Sequence, residues 1–283
     1  MNIATPGNTA ELLKSHGLSA RKKYGQNFLV DRSILEKIVD AAGVGEEDTV
    51  LEIGPGLGAM TQLLSERAKR VIAVEIDKQL AGLLKESLSD CDNLTIINED
   101  ILKWDAAGYA RSEGIDSYRV VANLPYYITT PILLSLLEGE AQLSGITVMV
   151  QKEVAERMQA LPGTKEYGAL SLAVQYRAKA SVVCTVPPSC FLPRPAVDSA
   201  VIRLDVYPEP PVDCRDPEHM RRLIRAAFNQ RRKTLANALS GDPALKLSRE
   251  SVQKALAEMG LDELIRGERL SLEEYSKLSD LLK

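Results

Sequence analysis

Three observations predict an α/β fold with a mostly parallel sheet, followed by a small all-helical domain. Short β-branched runs alternate with patterns of period 3.6 from Thr49 to about Tyr207, and helix-length segments separate the first five runs. Strand patterning then stops at Pro208, Pro210 and Pro211. Helix-length connections between strands imply a mostly parallel sheet with right-handed crossovers. A chain of 283 residues accommodates one large domain with a smaller attachment. The spacing places these at residues 1–207 and 212–283.

Strands are predicted at Thr49 to Ile53, Arg70 to Val74, Leu94 to Ile97, Tyr118 to Ala122, Ile146 to Val150, Ser181 to Val186 and Ala200 to Val206. Met60 to Ala68 and Lys78 to Leu88 carry the helical spacing between early strands. Only the proline-rich turn Pro187 to Pro195 separates the last two strands, too little for a helical crossover, so they should pair antiparallel at one edge. Tyr207 to Pro211 is a stiff linker, because proline fixes φ and removes a donor. From about Pro217 to Lys283 the periodicity is helical, interrupted at Gly241-Asp242-Pro243, Gly260 and Gly267.

Composition narrows the function. With 45% hydrophobic and 26% charged residues, collagen-like, disordered and wholly coiled-coil chains are excluded. The net charge of -4 means that a nucleic-acid partner would have to be met by a local patch. Cys91, Cys184, Cys190 and Cys214 form no CxxC pair and are too sparse for a disulfide scaffold, which fits reduced thiols in the cytoplasm. His16 and His219 are the only histidines, in no metal-ligand spacing, so neither a metal site nor a Ser-His-Asp triad is expected. No apolar run approaches the roughly 18 residues of a membrane span, and the first residues lack the apolar run of a signal peptide.

The chemistry sits at strand ends. Glu52-Ile53-Gly54-Pro55-Gly56-Leu57-Gly58 follows the first strand, and its glycines let a ligand approach the backbone. The spacing GxGxG, instead of the dinucleotide fingerprint GxGxxG, with an acid two residues before the first glycine, moves the reading from a nicotinamide cofactor toward S-adenosylmethionine. Glu75 closes the second strand, where a ribose diol can donate to it, and Asp100 follows the third, suited to an exocyclic adenine amine. Each acid alone could be a loop residue or a helix cap. Acids at three successive strand ends are harder to ascribe to chance, because open α/β sheets bind ligands along that edge.

Asn123-Leu124-Pro125-Tyr126 after the fourth strand looks like the motif of amino methyltransferases, which modify a planar nitrogen with a delocalised lone pair. Two acceptors, the Asn123 side-chain oxygen and the Leu124 carbonyl, would hold the two N–H groups and stabilise developing positive charge. Pro125 shapes the turn, and Tyr126 would stack on the base.

Lys22 to Leu29, Leu51 to Gly58, Val74 to Asp77, Asn123 to Tyr127 and Phe191-Leu192-Pro193-Arg194-Pro195-Ala196-Val197-Asp198-Ser199 occur together in family order. Over nearly its whole length the chain resembles the ribosomal RNA adenine dimethyltransferases, in particular their small-subunit branch. Arg266 to Tyr275 resembles the closing segment of that branch, which favours it over the related large-subunit dimethylases of macrolide resistance. The resemblance implies a Rossmann-like class I S-adenosylmethionine-dependent methyltransferase with a helical RNA-recognition domain. It implies that Asn27, Leu29, Gly54, Glu75, Asp100 and Asn123 hold S-adenosylmethionine and that Tyr126 and Phe191 sandwich the target adenine. The implied reaction is N6,N6-dimethylation of two adjacent adenosines in the 3′-terminal hairpin of 16S rRNA within the small ribosomal subunit or its precursor, with a role in ribosome assembly. A binding factor without turnover, or a DNA or protein amine methyltransferase, are the competing classes.

Basic residues cluster twice, at Arg21, Lys22 and Lys23 and at Arg221, Arg222, Arg225, Arg231, Arg232 and Lys233, where no acid intervenes before Leu239. A run of cations is often only a solvated helix face, but these runs stand out in a net acidic chain and are candidate phosphate contacts. No long apolar stripe is left over, so a monomer is expected.

Overall fold

The computed structural model describes residues 5–283 and leaves the Lys22 side chain undescribed. After α1 (Pro6–Ser15), β1 (Phe28–Leu29) and α2 (Arg32–Ala42), the sheet begins with β2 (Thr49–Ile53), α3 (Ala59–Ser65), β3 (Arg70–Val74), α4 (Lys78–Ser87) and β4 (Leu94–Ile97). It continues through α5 (Ala106–Glu113), β5 (Tyr118–Asn123), α6 (Thr129–Glu138), β6 (Leu143–Gln151), α7 (Lys152–Met158), α8 (Ala169–Arg177), β7 (Ala178–Val186), β8 (Phe191–Leu192) and β9 (Ser199–Val206). The remaining helices are α9 (Pro217–Asn229), α10 (Leu235–Ser240), α11 (Arg249–Glu258) and α12 (Leu272–Leu281).

Seven strands form one sheet in the order β4-β3-β2-β5-β6-β9-β7. The five from β4 to β6 run parallel, and β9 lies antiparallel to β6. As the run lengths implied, the last two strands are neighbours at one edge. The chain moves outward from β2 to β4, then returns to place β5 on the other side of β2. That reversal opens a crevice outside the carboxyl ends of β2 and β5, where open α/β sheets bind ligands. A two-stranded pairing of β1 with β8 was not legible in the sequence, since two-residue strands carry no periodicity.

Local signals set the helix ends. Asp31 caps α2, accepting from the amides of Ser33 and Ile34, and Gly43 ends that helix in the left-handed region. The Asp77 side chain accepts from the Gln79 amide at the start of α4. On one side of the sheet Ile38 and Val39 of α2 and Leu64 of α3 are fully buried with Val50, Val71 and Val121.

The chain divides into two compact units, and the boundary at 207 needs a correction. One unit runs up to Ala155 and resumes at Ala180–Val206; the other is Glu156–Lys179 with Tyr207–Lys283. Glu156–Lys179 joins the helical unit because Tyr167 and Leu172 are buried with Leu223, Leu235, Leu256 and Leu278, and Tyr167 Oη donates to the Leu270 carbonyl at 2.9 Å. Sequence periodicity misses this, because a helical stretch between two strands reads as one more crossover. In the same unit Tyr275 Oη donates to the Gly267 carbonyl at 3.0 Å, and a Cβ on Gly267 would fall 2.6 Å from that hydroxyl and 2.8 Å from Ala227 Cβ. Packing therefore accounts for several residues of the Arg266–Tyr275 segment.

Candidate functional site

A cleft opens at the carboxyl ends of β2, β3 and β5, lined by the glycine turn, the acids and the Asn123 motif. Gly54, Gly56 and Gly58 adopt φ of +66°, +60° and +87°. At Gly58 a Cβ would sit 2.7 Å from Leu84 Cδ2, and at Gly56 one would sit 3.3 Å from the Phe28 ring. The turn thus needs glycine for conformation and for close packing, and it carries bare backbone along the cleft.

Glu75 is 4% exposed, and both of its oxygens are held: Oε1 accepts from the Asp77 amide at 2.8 Å and Oε2 from the Gly56 amide at 3.2 Å. Burial raises its carboxyl to about 7, against the lowering effect of those two bonds. Glu52 is wholly buried, and neither of its oxygens has a hydrogen-bond partner among the described residues. Burial raises it to about 8, and the neighbouring Glu75 adds to the rise. Asp100 also lines the cleft, and its Oδ1 accepts from the Leu102 amide at 3.1 Å.

Across the cleft, Asn123 Nδ2 donates to the Asn27 carbonyl at 3.1 Å, which orients the amide and leaves Oδ1 as its acceptor. Asn27 Nδ2 donates to the Gly25 carbonyl at 3.2 Å. Leu124 is buried, its amide donating to the Met149 carbonyl at 3.1 Å. Tyr126 Oη and Ser199 Oγ share a hydrogen bond of 2.5 Å, with Ser199 fully buried at the start of β9. Asn27, Leu29, Gly54, Glu75, Asp100, Asn123, Leu124, Pro125 and Tyr126 all line this one cleft.

Phe191, expected to face the target base, is not among the residues that line the cleft. It is 2% exposed, pairs through β8 with Leu29 of β1, and is buried with Ile34, Leu35 and Val186. Pairing of the short strands turns the ring into the core. Sequence reading also passed over Tyr24, Phe28, Ile76 and Tyr127, which line the cleft. The doubled tyrosine after Pro125 and the apolar residue after Glu75 were the available signals.

The basic residues divide. Arg21 pairs with Asp77 at 3.3 Å and also bonds Gln79, while Gln26 Nε2 reaches the second Asp77 oxygen at 3.3 Å. Lys23 lies 4.4 Å from the centre of the Tyr24 ring. Arg221 pairs with Glu218 at 2.9 Å. Arg231 donates to the Lys165 and Tyr167 carbonyls, each at 3.1 Å, and to Glu268 at 3.3 Å, so it braces the helical unit. Arg222, Arg225, Arg232 and Lys233 are exposed. The prediction that touches Lys22 lies outside the described side chains.

A family profile described as "Ribosomal RNA adenine dimethylase" matches residues 17–283. The chain belongs to the ribosomal RNA adenine dimethylase family. It is 52% identical to a ribosomal RNA small subunit methyltransferase A of Lachnoclostridium phytofermentans, over 99% of this chain and 97% of that protein. A protein of the same description from Geobacillus thermodenitrificans is 49% identical, with 99% and 97% covered. Among solved structures, a dimethyladenosine transferase from Plasmodium falciparum superposes with TM-score 0.67 at 27% identity, covering 87% of this chain and 94% of that one. The 23S rRNA methyltransferase ErmE superposes with TM-score 0.64 at 28% identity, over 90% and 99%. The fold is that of class I S-adenosylmethionine-dependent methyltransferases, and the protein is an rRNA adenine dimethyltransferase that uses S-adenosylmethionine. The cleft fits that cofactor: Gly54 and Gly56 line one side with no side chain in the way, and a held, buried carboxyl group stands at the end of β3.

Proposed function

We propose that the protein dimethylates N6 of two adjacent adenosines in the 3′-terminal hairpin of 16S rRNA, within the small ribosomal subunit or its precursor, and takes part in assembly of that subunit. The observation that carries the reading is the Asn123 amide, oriented by Asn27 at the cleft. The relatives named as small-subunit methyltransferases, at about half identity over nearly the full chain, support the choice of subunit.

In this reading Asn27, Leu29, Gly54, Glu75, Asp100 and Asn123 hold the cofactor, which supplies an electrophilic methyl group. Glu75 receives the ribose diol and Asp100 the adenine amine. Asn123 Oδ1 and the Leu124 carbonyl accept the two N–H groups of the target amine, favour its pyramidal form and stabilise positive charge as it develops. Pro125 holds the turn rigid, and Tyr126, fixed through Ser199, stacks on the base for about 1–3 kcal/mol. No strong general base is needed; alignment of amine and methyl group can contribute roughly 7–11 kcal/mol in favourable systems. Exposed cations of the helical unit, Arg222, Arg225, Arg232 and Lys233, contact phosphate. The protein acts as a cytoplasmic monomer.

The test is methyl transfer from labelled S-adenosylmethionine to unmethylated small subunits, large-subunit rRNA and DNA in parallel, followed by nucleoside analysis. Dimethyladenosine confined to the two hairpin positions is expected. Label in large-subunit rRNA, or binding to small subunits without transfer, would overturn the reading.

A further inference from the structure

We infer that Tyr127 is a second stacking platform, which receives a nucleobase flanking the target adenosine at the mouth of the cleft. The inference rests on the proposed RNA substrate. Tyr126 and Tyr127 are adjacent in sequence but differently held. The hydroxyl of Tyr126 is tied to buried Ser199, so its ring is a fixed part of the wall. Tyr127 is 56% exposed although it lines the same cleft.

The base of the Tyr127 ring is seated against backbone. A Cβ on Gly25 would lie 3.0 Å from Tyr127 Cδ1 and 3.4 Å from Cε1, and Gly25 holds φ at +57°. Glycine there serves two purposes: it permits the left-handed turn, and it lets the chain close on the ring. The seated ring keeps a large part of its surface in water. A half-exposed aromatic seated at the rim of a nucleotide-binding cleft suits an unpaired base, because every base presents a π face and stacking tolerates sequence.

A reaction at two neighbouring adenosines sharpens the role. While one base occupies the Asn123 pocket, its neighbour is unstacked from it and needs a surface. Tyr127 supplies that surface beside the pocket.

The experiment compares Tyr127→Ala, Tyr127→Phe and the unaltered protein in methyl transfer to unmethylated small subunits. Binding of S-adenosylmethionine is measured by calorimetry, and quenching is followed with a single-stranded RNA carrying 2-aminopurine beside the target adenosine. Tyr127→Ala should raise KM for the subunits roughly tenfold, abolish the quenching and leave cofactor affinity within about twofold. Tyr127→Phe should restore both RNA readouts. Unchanged KM and quenching in Tyr127→Ala would overturn the stacking role while the proposed reaction stands, as would a loss confined to cofactor affinity. No transfer to small subunits by the unaltered protein would sink the reaction itself, and this inference with it.

Discussion

Asn123 Nδ2 donates to the backbone carbonyl of Asn27 at 3.1 Å, across 96 positions of sequence. One bond therefore sets the orientation of the amide and ties the segment before α2 to the end of β5. In the proposed mechanism, removing the amide would remove the acceptor for the target amine while leaving the fold in place, because Leu124 and Val121 keep their burial. Asn123→Ala is expected to lower kcat at least tenfold, about 1.4 kcal/mol, with an unchanged melting temperature. Near-normal turnover in single-turnover assays would remove Asn123 from the reaction.

Cofactor affinity should depend on pH through Glu75. Its carboxyl is raised to about 7 by burial, and in the proposed site a ribose diol would donate to the ionised form. Below that pH a proton must be lost on binding, so affinity increases as pH climbs through 7. Calorimetry at pH 6 and pH 8 is expected to show about a tenfold tighter Kd at the higher pH. Glu75→Gln should bind weakly and with a flatter profile; an unaltered profile would place the titration elsewhere.

The two halves of the second basic cluster should separate experimentally. Arg232→Ala with Lys233→Ala is expected to weaken RNA binding and flatten its salt slope by about 1.5 log units per log unit of salt, given roughly 0.7–0.9 per phosphate contact. Arg231→Ala should instead destabilise the helical unit, since it strips bonds from the Lys165 and Tyr167 carbonyls and from Glu268. Thermal melting and salt-dependent RNA binding of the two variants distinguish the roles.

Gly58→Ala tests the glycine turn. The new Cβ would meet Leu84 at 2.7 Å and Leu88 at 2.9 Å, at a φ of +87°. Overpacking of this kind costs about 1–3 kcal/mol, and left-handed strain adds to it. A melting temperature lowered by several degrees is expected, with cofactor affinity reduced in parallel. A variant as stable as the parent would show that the turn can relax.

The alternation of β-branched runs and helical spacing was enough, by itself, to determine the sheet's strands, the two-strand edge and the three strand ends carrying Glu52, Glu75 and Asn123, because period and run length are local properties. The glycine spacing and the Asn123 motif likewise pointed to the cofactor and the target nitrogen. Tertiary structure alone decided three matters. Glu156–Lys179 belongs with the helices because Tyr167 and Leu172 find their apolar partners there, a choice between two cores that local periodicity does not express. Phe191 faces inward because β8 pairs with β1, and Arg231 braces carbonyls because the fold brings them within reach. In each case residues distant in sequence compete for the same side chain, and burial or hydrogen bonding in the folded chain settles which of them it serves.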